Sequence, residues 1–594
     1  MEHQNFFSFF LECAEEYPDS EFLVDLRDDR TFSYEEALSG SLSLAGYLSD
    51  QGVGRGDHVA IFMDNSPYWR IADLAVQALG AVNVSRYTED VDELEYVLED
   101  SDSEYLLQDN DVGLDVVMGS LDRREVERIV EDYEPYSAVE AVDNASSDSL
   151  NSIVYTSGTK SRPKGVMLTQ KNVLSQIPMI GSTLDRPDMQ GFEVDSSDGL
   201  ASLVPEWHMY QRAVENFGMS RGVTVYYDSL KGFRRNSLFS EDISVVPGVP
   251  RLWQAVRDEV VDGLEGSLSF SFGDVVEKYG GWMEDMPGVG TLYDWIEGED
   301  FTGIDLYGVF ESLYGSAADH VSGRDPGLYG RLSEFFVRRT VGRIVRKKLG
   351  DKKLVLSGGS YVPGEIEEFF EVMGMPLVNG YGMTETSPLV SASTYGDGMY
   401  SIGRPMEGLE ARINEDDVLE VRGPNVFEGY YGMPEESEKV FTDDGFFVTG
   451  DRVEWTDEGC IRYVDRADDV IVRSNGENVS PAKLESTIET AYESVKESLV
   501  VRGERLGMDD EIVAVLVPDE EEREELYEKF RSSKKKVLKE IRNIFREREF
   551  PSYERVDEVV LYSGEEGIPK TSTLKKMRDD FVEMLRKNHD LVYV

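Results

Sequence analysis

Tyr155-Thr156-Ser157-Gly158-Thr159-Lys160-Ser161-Arg162-Pro163-Lys164-Gly165-Val166 is the stretch on which the reading of this chain turns. An apolar strand, Ser152–Tyr155, runs into a loop of hydroxyls and glycine that closes on Pro-Lys-Gly. Hydroxyls, backbone N–H groups and a lysine are what a polyphosphate needs. A Walker A loop would end in Gly-Lys-Ser/Thr, whereas here the lysine lies between Pro163 and Gly165. Taken alone, the loop reads equally well as a polar surface turn.

Outward from this loop, strand and helix signals alternate. Phe22–Asp25 reads as a strand, Ser33–Gln51 as an amphipathic helix and His58–Met63 as a buried strand, followed by a helix at Trp69–Leu79 and a strand at Ala81–Ser85. This rhythm predicts a parallel sheet covered by helices. It returns at Ser152–Tyr155, Gly222–Tyr227, Leu354–Ser357 and Pro376–Asn379. Residues 255–330, rich in Gly and Asp, read as an insertion or irregular lobe. Short strands at Leu419–Val421, Phe446–Val448 and Cys460–Val464 predict a small β subdomain. Beyond Asp468, helices at Pro481–Tyr492, Glu520–Ser532 and Ser533–Arg546 and strands at Ser498–Val501 and Ile512–Val517 predict a separate α+β domain.

The 594 residues leave room for more than one domain. Sixty basic against 117 acidic residues give a net charge of −57, spread along the whole chain. Such a field disfavours nucleic acid and anionic membrane, and it predicts a source adapted to high salt. Screening at ~1 M salt acts within about 3 Å, so low salt is expected to destabilise the fold. No apolar run is long enough for a transmembrane helix. The patch Phe6, Phe7, Phe9, Phe10 lacks the basic leader and cleavage site of a signal peptide; beyond it no amphipathic anchor stands out, and peripheral membrane contact stays open. Two distant cysteines, Cys13 and Cys460, make no disulfide framework and fit a reducing, cytoplasmic setting.

Further loops follow in order. They are Ser357-Gly358-Gly359-Ser360, Tyr381-Gly382-Met383-Thr384-Glu385-Thr386, Thr449-Gly450-Asp451, Asp465-Arg466-Ala467-Asp468, Asn475-Gly476-Glu477-Asn478-Val479-Ser480-Pro481 and Pro569-Lys570-Thr571-Ser572-Thr573-Leu574-Lys575. The ordered set resembles the adenylate-forming superfamily of acyl-CoA synthetases, amino-acid adenylation domains and luciferase-like enzymes, from about Phe6 to Arg578. Val246–Trp253, Pro205-Glu206-Trp207-His208-Met209-Tyr210-Gln211-Arg212 and Gly423–Tyr431 are similar to the long-chain fatty-acyl-CoA synthetase branch.

The resemblance implies an α/β fold in three parts. A large N-terminal domain of layered parallel sheets with helices, plus the small β subdomain, spans 1–465. A hinge occupies 466–469, with Asp468 at its centre, and a smaller mobile α+β lid spans 470–594. It implies activation of a fatty acid by ATP and Mg²⁺ to an acyl-adenylate, then transfer to coenzyme A. On that reading Thr156, Ser157, Gly158, Thr159, Lys160 and Lys164 hold the phosphates. Glu385 holds the metal with Thr384 beside it, and Lys575 bridges the carboxylate and α-phosphate. Asp451 and Arg466 take the ribose, and Gly358, Gly359, Ser360, Tyr381 and Gly382 flank the adenine. Trp207 and His208 wall the acyl pocket, and Gly476 and Glu477 line the pantetheine path.

Departures from the family pattern are Lys160-Ser161 for Thr-Gly, Gln211 for Glu and Gln170 for His. Competing expectations are an aryl-acid or carrier-protein acyl ligase, and a non-catalytic nucleotide- or acyl-binding protein. A basic run, Arg338, Arg339, Arg343, Arg346, Lys347 and Lys348, reads as one amphipathic helix with Phe335, Phe336, Ile344 and Leu349 facing in. It is a candidate dock for the phosphates of coenzyme A.

Overall fold

Residue-by-residue alternation in the strands decides the layering of the computed structural model. In His58–Phe62, Val59 and Ile61 join one core cluster and Ala60 and Phe62 another. In the strands around Val245–Gly248 and Leu354–Ser357, Val245 and Leu354 share a core with Val59, while Val246 and Val355 face a separate one. A strand apolar on both faces must be covered on both. The result is two sheets with helices between them and outside each. The structure describes the chain except residues 1–4, 87–90, 110–116, 138–144, 157–162, 187–191, 230–231, 234–239, 241, 269–305, 322–323, 325–326, 351, 361, 376, 395–396, 398–400, 474–476, 493, 510–511, 521, 549, 565–566, 570–577, 589–591 and 594.

The seven-stranded sheet runs, in space, from Gly429–Tyr430 through Lys164–Thr169, Leu150–Thr156, Val82–Ser85, His58–Phe62 and Tyr105–Gln108 to Gly119–Asp122. The other large sheet has a parallel centre, Val245–Gly248, Leu354–Ser357 and Leu377–Gly382. From Leu389–Ser393 onward it turns antiparallel and continues through Ser401–Pro405, Ile461–Arg466 and Phe447–Trp455. The strands expected as a small β subdomain are joined to this sheet through the pairing of Ser401–Pro405 with Ile461–Arg466. A four-stranded sheet, Val495–Arg502, Ile512–Pro518, Glu558–Tyr562 and Val592–Tyr593, forms the last unit. The long helix over it, Arg523–Glu547, breaks at Ser533 (φ −168°, ψ 92°), where the sequence places two helices.

Helices Tyr34–Asp50, Pro67–Ala78, Gln170–Leu184 and Met209–Met219 fill the space between the large sheets. Ser33 with Glu36, Ser66 with Pro67, and Thr169 with Asn172 start three of them by satisfying their first N–H groups. A charged cluster lies fully buried where Pro67–Ala78 meets Met209–Met219. Arg70 pairs with Glu215 and lies 3.5 Å from Glu206, and Arg212 lies 3.2 Å from Asp73. Burial and the neighbouring Glu215 carboxylate hold Glu206 well above the usual carboxylate range.

Several expectations are corrected. Phe6, Phe7, Phe9 and Phe10 are not an anchor: they lie in the core on helix Phe6–Glu16, capped by Asn5. Gln170 and Gln211 are core hydrogen-bonders. Gln170 accepts from Phe6 N at 2.8 Å, and Gln211 accepts from Val204 N at 3.2 Å. The described parts of 255–330 are helical, at Pro250–Leu268, Leu306–Val321 and Leu328–Arg339. The basic run occupies two helices, divided at Thr340, and only Leu349 of the four apolar residues assigned inward is buried. Among the described residues no helix is long and apolar enough to cross a membrane.

Candidate active site

The ends of the central strands converge on a cleft. Thr156 pairs with Lys164 across an antiparallel hairpin. Ser157, Gly158, Thr159 and Lys160 lie outside the described residues. Lys164 reaches Glu436 at 3.2 Å and sits 5.0 Å above the Tyr430 ring. Tyr430, in a strand paired with Lys164–Thr169, donates its hydroxyl to Glu385 Oε1 at 3.0 Å. The phosphate hairpin and Glu385, more than 200 residues apart in sequence, are thus joined through one tyrosine.

Thr384–Thr386 form a 3₁₀ turn with Thr384 buried and Glu385 half-buried. Asn425 Nδ2 fixes the turn by donating to Thr386 O at 2.9 Å and Leu389 O at 2.8 Å, and Gln176 Nε2 donates to Thr386 O at 3.1 Å. Gly382 fits only as glycine, since a Cβ would stand 1.8 Å from Pro388 O.

Beside this turn, Tyr381 donates its hydroxyl to Asp451 Oδ2 at 2.6 Å, and Arg466 Nη1 lies 3.2 Å from Oδ1. Burial, then Asp451, pushes the Tyr381 phenol well up, so it stays a donor. Asp451 Oδ1 is buried without a well-aligned hydrogen bond among the described residues. Gly358 is buried and Gly359 and Ser360 are exposed after strand Leu354–Ser357. A Cβ on Gly358 would meet the Tyr210 ring at 3.3 Å, so glycine there lets the backbone press against that ring.

Behind Gly380 and Ser357 an almost wholly apolar cavity opens between helices Gln170–Leu184 and Met209–Met219 and the sheet. Tyr210, Val214, Phe217, Leu184, Val378 and Leu356 line it. Ser357 Oγ, also in its lining, is buried without a hydrogen-bond partner among the described residues. Trp207 and His208 stand just before Tyr210, their rings 6.0 Å apart, with Arg86 5.8 Å over Trp207. His208 Nδ1 caps the helix by accepting from Tyr210 N at 3.3 Å. Neither residue is in the cavity lining.

Asp468 and Glu477 are exposed, and Gly476 and Lys575 lie outside the described residues. The contacts around them are informative. Asp465 accepts from Ser480 Oγ at 2.6 Å, tying the large sheet to the helix Pro481–Ala491. Glu497 accepts from Ile568 N at 3.2 Å and pairs with Arg251 at 3.4 Å. The approach to the Lys575 segment is therefore tethered beside Gly248–Arg251 of the large unit.

Burial pushes the Asp465 carboxyl from 3.8 up to about 6. The folded state then holds this proton more tightly than the unfolded chain. Its contribution to stability is complete at low pH and is lost as pH rises from about 4 to 6. Asp465→Asn is expected to remove that decline, so the stability difference between variant and parent grows through this window. Urea titrations at half-unit pH steps measure it.

Tyr430, Asn425 and Gln176 were not assigned from sequence. Tyr430 and Asn425 lie within the quoted Gly423–Tyr431 stretch, whereas Gln176 carries no local signal.

The polar cluster Tyr381, Asp451 and Arg466 thus stands next to a cavity with an almost wholly apolar lining. The chain belongs to the AMP-binding enzyme family, whose profile matches residues 10–431, with the AMP-binding enzyme C-terminal domain at 468–594. It is an acyl-activating, adenylate-forming ligase. It is 28% identical over 577 residues to the Arabidopsis thaliana chloroplastic long-chain-fatty-acid–[acyl-carrier-protein] ligase AEE15, covering 86% of this chain and 75% of that one. It is 28% identical over 523 residues to the Mycobacterium bovis long-chain-fatty-acid–CoA ligase FadD15, covering 84% and 80%. Its fold is that of Bacillus subtilis O-succinylbenzoate coenzyme A synthetase in complex with AMP (TM-score 0.65, 20% identity, covering 96% and 97%). It is also that of Mycobacterium tuberculosis fatty acyl CoA synthetase (TM-score 0.60, 20% identity, covering 98% and 99%).

Proposed function

We propose that this enzyme joins a long- or medium-chain fatty acid to ATP, releasing pyrophosphate, and then transfers the acyl group to coenzyme A. The observation that carries this reading is the apolar cavity ending at Ser357 and Gly380, next to the Tyr381–Asp451–Arg466 cluster. The cavity, about 70 Å³, would take the first methylenes of an alkyl acid, whose carboxylate would emerge beside the nucleotide. The near absence of polar lining favours an alkyl acid over an aryl acid carrying polar groups. Transfer to a carrier protein's thiol is the second reading, favoured by the similarity to AEE15.

Two anions must meet in the first half-reaction, so positive charge and preorganised donors set the rate. Asp451 accepts the ribose hydroxyls, with Arg466 and Tyr381 holding its carboxylate in place. Gly359 and Ser360, exposed beyond the buried Gly358, would flank the adenine with Tyr381 and Gly382. Thr156 to Lys164 grip the β- and γ-phosphates. Glu385 fits a Mg²⁺ ligand, because its second carboxylate oxygen is not engaged by Tyr430, and this ion binds through one or two carboxylates plus substrate phosphates. When bound, Mg²⁺ neutralises phosphate charge. Lys575 supplies the mobile point charge between carboxylate and α-phosphate. Rotation about Asp468 then exchanges Lys575 for the loop Asn475–Pro481, which admits the thiol and excludes water.

Val214→Trp is expected to shorten the accepted acid. kcat/KM for the longest substrate should fall about tenfold or more while a short acid is unaffected, since each displaced methylene is worth roughly 1–3 kcal/mol. Pyrophosphate release across saturated acids measures the shift. Adaptation to high salt is likewise proposed from the charge of −57. The melting temperature should rise on moving from ~0.1 to ~1 M KCl, as screening falls from about 10 Å to about 3 Å.

A further inference from the structure

Helix Val91–Asp100 reaches both ends of the loop between Thr156 and Lys164. Leu94, Val97 and Leu98 seat the helix in one core cluster with Ile153 and Tyr155 of the hairpin. A second stripe is polar: Glu93, Tyr96 and Asp100 follow at spacings of three and four and stand on one face. At the entry to the loop, the buried Tyr155 donates its hydroxyl to Asp100 Oδ2 at 2.6 Å. Arg86, paired with Glu93, donates to Tyr155 O at 3.4 Å. At the exit, the Tyr96 hydroxyl lies 3.2 Å from Pro163 O and 3.2 Å from Asp100 Oδ1.

The strand ladder ends at the Thr156–Lys164 pair, so Pro163 lies outside it. Proline has no N–H, and its carbonyl is its one backbone hydrogen-bonding group. Tyr96 gives that carbonyl a partner on a rigid helix. Asp100 is common to both ends, with Tyr155 on one oxygen and Tyr96 on the other. It stands in the last turn, where a carboxylate opposes the helix dipole, so the helix itself gains nothing from it. A loop whose ends are held in place loses less freedom when a ligand orders it.

We propose that Tyr96 and Asp100 are positioning residues for polyphosphate, holding the two ends of the loop at the separation at which it grips the β- and γ-phosphates of ATP and the pyrophosphate released. This role depends on the proposed grip of Thr156 to Lys164 on phosphate. Seating the helix in the fold is the work of Leu94, Val97 and Leu98, so the polar stripe is free to serve the loop. The bonds to Tyr155 and Pro163 are short contacts between part-buried groups, which salt screens much less than separated surface charges. AMP lacks the outer phosphates, so the brace should not act on it.

Isothermal titration calorimetry of the full chain with ATP and Mg²⁺, with inorganic pyrophosphate and with AMP tests this, in KCl at which circular dichroism shows each protein folded. The variants are Tyr96→Phe, which removes one oxygen and keeps the ring, Asp100→Asn, and Glu99→Gln. Glu99 is exposed on the same turn, so its variant controls for the loss of one negative charge. Tyr96→Phe and Asp100→Asn are expected to weaken ATP and pyrophosphate about three- to tenfold, the worth of one net hydrogen bond, and to leave AMP unchanged. Glu99→Gln should leave all three ligands unchanged, and thioester formation from supplied acyl-adenylate should be unchanged in every variant. Parental affinity for ATP and pyrophosphate in Tyr96→Phe would overturn the proposal, as would an equal weakening of AMP, which would make the helix a general support of the fold. A parent that binds AMP but gains nothing from the outer phosphates would instead overturn the phosphate role of Thr156 to Lys164, and the brace with it.

Discussion

Lys575→Ala is expected to lower carboxylate-dependent pyrophosphate release by about 10²–10³, the loss typical of removing one preorganised charge from a site where anionic character develops. In the proposed reaction the attacking carboxylate and the α-phosphate repel, and among the described residues Arg466 stands against Asp451 and Lys164 on the hairpin with Thr156. The residues leading to Lys575 are held by Glu497, which binds Ile568 N and Arg251 together. Lys575→Arg should restore little, because a planar fork does not replace a compact ammonium. Thioester formation from supplied acyl-adenylate should survive in Lys575→Ala, since on the proposed mechanism that half-reaction uses the loop Asn475–Pro481. Stopped assays of each half-reaction separate the two. Equal losses in both would assign Lys575 to folding or to lid closure.

Glu385→Gln should cost about 10² in the same assay and raise the Mg²⁺ concentration needed for half-maximal rate. The substitution keeps the shape and leaves an oxygen to accept from Tyr430, so the turn held by Asn425 and Gln176 is preserved. What it removes is the negative charge. Tyr430→Phe is the control. It frees the Glu385 carboxylate but keeps its charge, and should change rate by much less. A variant that melts well below the parent would instead make Glu385 structural.

The candidate site residues could be singled out from sequence because phosphates, ribose and a hinge demand particular residue types in short loops. Tyr381, Thr384, Glu385, Asp451 and Arg466 are each within such a loop, and the fold brings them to one cleft. The groups that hold them were hidden, since Tyr430, Asn425 and Gln176 act across contacts 36 to 210 residues long. The apolar cavity was also illegible. Its lining comes from two helices and several strands, and each side chain alone reads as ordinary core. The two basic helices depart for a different reason: apolar residues at helical spacing predict an inward face, yet exposed apolar surface is common and only its continuity carries meaning. Layering followed from strand composition, but the joining of the later β strands to the central sheet depends on pairings no local pattern encodes.

The most direct measurement is pyrophosphate release from ATP and Mg²⁺ in ~1 M KCl, over straight-chain acids from acetate to oleate, with and without coenzyme A. Release that requires an alkyl acid of medium or long chain, yields AMP, and ends in acyl-CoA when the thiol is present is the predicted result. Protein that is folded at that salt and releases no pyrophosphate with any of these acids would contradict it.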